Sequence, residues 1–138
     1  MPLDELRIQR YNAKINFIVQ ACSKIQLNYS NELEKDGIFY NIQTGIEASM
    51  DIAAMFAKDF GKSVGGDYQN LNYLQKNGLI TSEIADKLRK ANGLRNVVVH
   101  NYNGIDEEII LNSIETIKET LKTWIQRIGE ILDENQNN

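Results

Sequence analysis

The sequence predicts an all-α protein, an up-and-down bundle of four main helices plus a short one, paired with a second copy about a two-fold axis. Three observations carry this expectation. Apolar residues recur at spacings of three and four along most of the 138 residues, the period of a helix that buries one stripe. The sole proline is Pro2, so no interior position is barred from a helix by its missing N–H. The one strand candidate, Val97–Val99 followed by Asn103-Gly104, has no second strand within reach to pair with.

The first helix is expected from about Asp4 to Asn28. Its seam is Ile8, Tyr11, Ile15, Ile18, Cys22 and Ile25. Asn28, Ser30 and Asn31 supply a turn and the next N-cap. The second helix is expected over roughly Asn31 to Phe60, with Phe39, Ile42, Ile46, Ser49, Ala53, Phe56 and Phe60 inward. Its small residues Gly45, Ala48, Ser49, Ala53 and Ala54 allow another helix to approach closely, and Gly61 closes it as a C-terminal glycine. Residues 61–68 read as a glycine-rich connector. They lack the spacing and the strand-before, helix-after context of a phosphate loop. A short helix follows from Asn70 to Lys76, stopped by Gly78.

Thr81 and Ser82 cap a further helix with Ile84, Leu88, Ala91 and Leu94 on its apolar side. It is expected to run on into the valines. The last helix opens at Ile105 and Asp106, Asp106 as N-cap and Ile105 stapled onto Ile110. It continues through Ile110, Ile114, Ile117, Leu121, Trp124, Ile128 and Ile131, an a/d seam of nearly three heptads. Residues 133–138 are expected to fray. The whole, 1–138, reads as one domain. The long seams and the small-residue face suggest more apolar surface than one copy covers, hence the homodimer.

Apolar content of 42% and charged content of 25% are those of an ordinary globular protein. No apolar run is long enough to span a bilayer, and no secretory segment is visible, which reads as cytoplasmic. The single cysteine, Cys22, cannot form an intrachain disulfide and sits on an apolar seam, where a buried thiol is expected. The net charge of −4 argues against a protein that coats nucleic acid indiscriminately. The balance is uneven: between Lys76 and His100, five cations (Lys76, Lys87, Arg89, Lys90, Arg95) stand against Glu83 and Asp86, a local patch that fits a partner approaching one face.

Within that stretch lies the string R-N-V-V-V-H-N-Y, residues 95–102, which holds the only histidine. Arginine presents planar donors matched to phosphate oxygens. Histidine can take or give a proton near neutral pH. The two together suit cleavage of a phosphodiester without a metal: His100 moves a proton, Arg95 stabilises the charge on the phosphorane, and Asn96 orients phosphate or imidazole. On an ideal helix Asn96 and His100 share a face, whereas Arg95 and His100 stand about 140° apart. They converge if the helix unwinds at His100, if Arg95 reaches around, or in trans across a two-fold axis. No metal-ligand spacing is visible, and no cofactor is implied.

These residues resemble the Arg-x4-His-x-Tyr signature of HepT-like toxins, within the HEPN superfamily of helical ribonucleases. N-I-Q-T-G-I-E-A-S-M-D-I-A at 41–53, with Gln43, Glu47 and Asp51 on one face, is similar to that family's second helix, and the resemblance extends over nearly the whole chain. It implies a dimeric helical bundle with the signature at a cleft between protomers, acting as a metal-independent endoribonuclease. It also implies a partner, a minimal nucleotidyltransferase antitoxin of the MntA type that adds AMP to the signature tyrosine. Carried over, Arg95 and His100 are catalytic, Asn96 is their polar neighbour, and Tyr102 is the modification site. A second reading keeps the fold and drops the chemistry: a non-catalytic dimeric helical module that partners or regulates such a nucleotidyltransferase. The acidic overall charge favours this second reading, the intact Arg95, Asn96 and His100 the first.

Overall fold

Six helices organise the computed structural model, which describes residues 3–61, 64–100 and 104–136, with the backbone alone for 104–106. They are α1 (Glu5–Ser23), α2 (Glu32–Asp59), α3 (Asp67–Lys76), α4 (Ser82–Val99), α5 (Gly104–Asn112) and α6 (Ile114–Glu134). No strand occurs among the described residues, so the all-α expectation holds. None of these helices is long and apolar enough to cross a membrane.

Three of the helices, α1, α2 and α4, begin where an N-cap side chain accepts from an orphan N–H group. Asp4 Oδ1 accepts from Arg7 N at 2.8 Å, Asn31 Oδ1 from Glu34 N at 2.9 Å, and Thr81 Oγ1 from Ile84 N at 3.2 Å, each satisfying a donor that the helix leaves unpaired. Gly61 and Gly78 follow α2 and α3 with φ of 109° and 76°, values that a side chain would make costly.

The core is centred on α2, which touches α1, α3, α4 and α6. Tyr11 of α1 stacks on Phe56 of α2 at 4.8 Å, and Trp124 of α6 meets Phe56 edge-on at 6.0 Å. All three are fully buried, and aromatic pairs of this kind contribute about 0.5–1.5 kcal/mol beyond their burial. The polar ends are satisfied. Trp124 Nε1 donates to the Ser49 carbonyl (3.2 Å), and Ser49 Oγ donates to the Gly45 carbonyl (3.0 Å). Tyr11 Oη and Arg7 Nε both donate to Asp59 Oδ2 at 2.6 Å. Burial, reinforced by Asp59, pushes the Tyr11 hydroxyl well above its ordinary range, so it remains a donor. Cys22 is buried, as its seam position required.

The structure departs from the sequence expectations at helix ends. α1 stops at Ser23, five residues short of Asn28. Lys24 N and Ile25 N bond back three residues, to Ala21 and Cys22, and Lys118 of α6 donates to the carbonyls of Cys22 and Ile25. A cation from another helix thus completes the turn, while Ile25 stays in the core. α3 starts a turn early, at Asp67, because the Asn70 side chain bonds both the N–H and the carbonyl of Gly65 and Gln69 Oε1 accepts from Gly66 N.

The last helix is two helices. Ser113 separates α5 from α6: its N–H bonds to Ile110 and its hydroxyl donates to the Ile109 carbonyl, the back-bonding that bends a helix. α5 already begins at Gly104, so Asp106 lies within its first turn rather than at the N-cap; the staple of Ile105 onto Ile110 falls outside the described side chains. The expected frayed tail is held as far as Gln136. Buried Leu3 donates its N–H to the Asn135 carbonyl at 2.7 Å, forming an isolated bridge with Gln136.

At Gly45, α1 and α6 both come close to α2. A Cβ placed there would lie 3.4 Å from Ala21 Cβ and 3.6 Å from Leu121 Cδ1, which is ordinary contact with no room for more. Gly45→Ala is expected to be neutral or to raise stability by up to about 1 kcal/mol through helix propensity. Gly45→Leu should lower it by about 1–3 kcal/mol by overpacking. Urea unfolding of the two variants checks the change of sign.

Candidate active site

Valines that weaken a helix in isolation are held in one here because they pack. Val97 and Val98 are partly buried against the core, which carries α4 to Val99 and brings residues 95–99 onto its last turns. Arg95 and Asn96 are thereby fixed on regular helix. His100 is the C-cap, exposed, with φ −107° and ψ 22°, and its N–H still bonds to the Asn96 carbonyl at 3.0 Å.

Arg95 is gripped from two sides. Its Nη1 lies 3.1 Å from Glu47 Oε2, reached from α2 across the bundle, and its Nη2 donates to Asn96 Oδ1 at 2.9 Å. The Arg95 side chain is only 22% exposed and that of Glu47 41%. Gln43, one turn before Glu47, leans on the same Oε2 at 3.5 Å. The Nε of Arg95 is buried with no acceptor. Among the described residues these contacts use one hydrogen of each Nη nitrogen, and a guanidinium carries five donors.

Around this pair lies a polar cavity of about 360 Å³, lined by Glu47, Met50, Asp51, Asp67, Asn92 and Arg95. Asn92 is 2% exposed. Its Nδ2 donates to Asp67 Oδ2 at 3.3 Å, and its Oδ1 has no partner. A second, larger cavity of about 590 Å³ between α1 and α2 shares Glu47 and Asp51 as a wall and adds Arg7, Arg10 and Lys14. Lys14 pairs with Asp51 at 2.9 Å. Among the described residues no group of three or more histidines, cysteines or carboxylates is placed to hold a metal ion.

Of the residues picked out in the sequence, the structure brings Arg95 and Asn96 into contact and leaves His100 beside them at the helix terminus, without a contact to Arg95. Tyr102 lies outside the described residues. The basic patch expected between Lys76 and His100 is largely spent internally. Lys87 pairs with Glu83 and Glu119, Arg89 with Asp86, and Arg95 with Glu47. Arg89 also donates to Asn72 and Gln75. Glu83 and Asp86 were already in the count along the chain, but Glu47, Asn72, Gln75 and Glu119 come from other helices, which such a count does not register. Asn92 and Asp67 were not anticipated. The i, i+4 step from Asn92 to Asn96 was the available signal.

Residues 8–128 match the family described as Ribonuclease HepT-like. A protein of Archaeoglobus fulgidus named "Putative RNase" is 44% identical over 128 residues, covering 93% of this chain and 97% of its own. The "mRNA nuclease HepT" of Shewanella oneidensis is 27% identical over 123 residues, covering 83% and 92%. Among solved structures, the tri-AMPylated Shewanella oneidensis HEPN toxin in complex with MNT antitoxin superposes with a TM-score of 0.76 at 26% identity, over 87% of this chain and 96% of that one. Fold, signature and relatives agree: this chain belongs to the ribonuclease HepT-like family of HEPN toxin proteins.

Proposed function

We propose that this protein is a metal-independent endoribonuclease toxin that cleaves RNA by attack of the ribose 2′-OH, and that a cognate nucleotidyltransferase antitoxin silences it at Tyr102. The observation that carries the reading is Arg95: a guanidinium oriented by Glu47 and Asn96 at the wall of an open polar cavity, on the helix that ends at His100. A cation fixed before substrate arrives need not reorganise when charge develops on phosphorus. In this reading Arg95 holds the phosphorane, His100 moves a proton, and Asn96 sets the plane of the guanidinium. The sequence relatives named as RNases support the reaction class.

Two copies facing across a two-fold axis would place both signatures in one cleft. That arrangement suits a chain with a single histidine and with exposed aromatic rings at Phe17 and Tyr40 on neighbouring helices. The non-catalytic reading, a helical module that serves a nucleotidyltransferase, draws support from the cations already neutralised near the signature.

On assembly, light scattering over a dilution series should report about twice the chain mass of 15.8 kDa. A monomer at every concentration would remove the in-trans arrangement. On catalysis, His100→Ala and Arg95→Ala should each cut RNA cleavage by roughly 10²–10⁴-fold with the helical circular dichroism unchanged. Cleavage should persist in EDTA and leave 2′,3′-cyclic phosphate ends; activity that chelation abolishes and magnesium restores would refute it. On control, incubation with the cognate nucleotidyltransferase and ATP should add AMP mass while activity falls in step. AMP on Tyr102 would bring an anionic phosphate two residues from His100 to compete for Arg95. Tyr102→Phe should keep its activity under the same treatment. Equal silencing of that variant would move control to another residue.

A further inference from the structure

One imidazole per chain cannot account for both proton transfers of RNA cleavage within one protomer. One group must take the 2′-OH proton and another must give a proton to the departing 5′-oxygen. Resting on the ribonuclease reading, we propose that Glu47 is a catalytic residue, the base that accepts the 2′-OH proton, with His100 as the acid. Glu47 sits on α2, 48 positions from Arg95 in sequence, with its carboxylate 3.1 Å from the guanidinium. Among the described residues its two side-chain hydrogen bonds, from Arg95 and from Gln43, both fall on Oε2. No described residue engages Oε1. The side chain is 41% exposed and lines both cavities, so a ligand can reach that second oxygen. Of the other carboxylates on the cavity wall, Asp51 is occupied by Lys14 at 2.9 Å and Asp67 accepts from Asn92 at 3.3 Å, and Glu47 is the one bonded to Arg95.

The placement follows from the phosphate. A phosphate oxygen bound to the remaining Arg95 hydrogens would lie about 2.7–2.9 Å from the guanidinium. The ribose 2′-oxygen next to that phosphorus is then within reach of the carboxylate on the same guanidinium. An ionised glutamate accepts a proton and has none to give, which assigns it to the first transfer. In the step, the 2′-OH proton passes to Oε1 and the 2′-oxygen forms its bond to phosphorus. The bond from phosphorus to the 5′-oxygen breaks, and that oxygen takes the proton of the His100 imidazolium. The products are a 2′,3′-cyclic phosphate and a 5′-hydroxyl. Exchange with water then removes the proton from Glu47 and returns one to His100.

Glu47→Gln keeps a carbonyl oxygen to accept from Arg95 but cannot take the proton. It should lower kcat by about 10²–10⁴-fold with KM little changed. Glu47→Ala, which removes the carboxylate but leaves space, should regain activity with added formate, as a merely structural residue would not. An oligoribonucleotide whose scissile 5′-oxygen is replaced by sulfur needs no acid, so it should restore His100→Ala and leave Glu47→Gln slow. Cleavage by Glu47→Gln at the parental rate overturns the assignment while the ribonuclease reading stands, and the base is then the histidine of a second copy. Recovery of Glu47→Gln on the sulfur substrate to the extent seen for His100→Ala overturns it as well. Absence of cleavage by the unaltered protein defeats both readings together.

Discussion

The structure depends on the close approach of α1 and α6 to α2. It is possible because α2 carries Gly45, Ala48, Ser49 and Ala53 along one side. Small residues let backbones come near enough for Trp124 to reach the Ser49 carbonyl and for the rings of Tyr11, Phe56 and Trp124 to meet. A larger residue at Gly45 would push α1 and α6 apart, since Ala21 and Leu121 are already in contact range. Dense packing of this kind makes a rigid scaffold. The adjacent side of the same helix carries Gln43, Glu47 and Asp51, so the rigidity of the core is passed directly to the polar cavity.

That coupling explains why Arg95 is well placed for chemistry. The guanidinium rests on two supports of different origin: Asn96, its neighbour on α4, and Glu47, anchored in the core helix. A long, flexible side chain would otherwise sample many rotamers, and immobilising it on substrate binding costs entropy. Here that cost falls at folding. The buried Nε without an acceptor is a small penalty carried at the same place, as is common where a site is held for function rather than for stability.

Surface electrostatics reinforce the same reading. The protein is acidic overall, and most cations near the signature are neutralised by carboxylates on neighbouring turns or helices. Exposed pairs of this kind contribute little to stability, about 0–1 kcal/mol each, but they remove free positive charge from the surface. Arg95 and the α1–α2 groove with Arg7, Arg10 and Lys14 gather cations around the shared wall of Glu47 and Asp51, with Arg7, Lys14 and Arg95 themselves paired to Asp59, Asp51 and Glu47.

The sequence by itself determined the features that depend on neighbours within a turn or two. The seams followed from periodicity, and every residue of the seam from Ile110 to Ile131 is buried; the sixth helix did not, because the break at Ser113 leaves that seam unbroken. The starts of α1, α2 and α4 followed from Asp4, Asn31 and Thr81, because a cap is a local hydrogen bond. The signature was legible because Arg95, Asn96 and His100 lie within six consecutive residues of one helix and its cap. Tertiary structure decided what distant segments do to one another. Lys118 ended α1 early, Leu3 pinned the tail, and Ser113 divided the last helix despite an unbroken seam, because its hydroxyl and N–H both turn back onto α5. It also decided that Glu47, singled out only for its face of α2, meets Arg95. Periodicity states which side of a helix is apolar, but which polar groups face each other across a bundle is set by how the apolar sides pack.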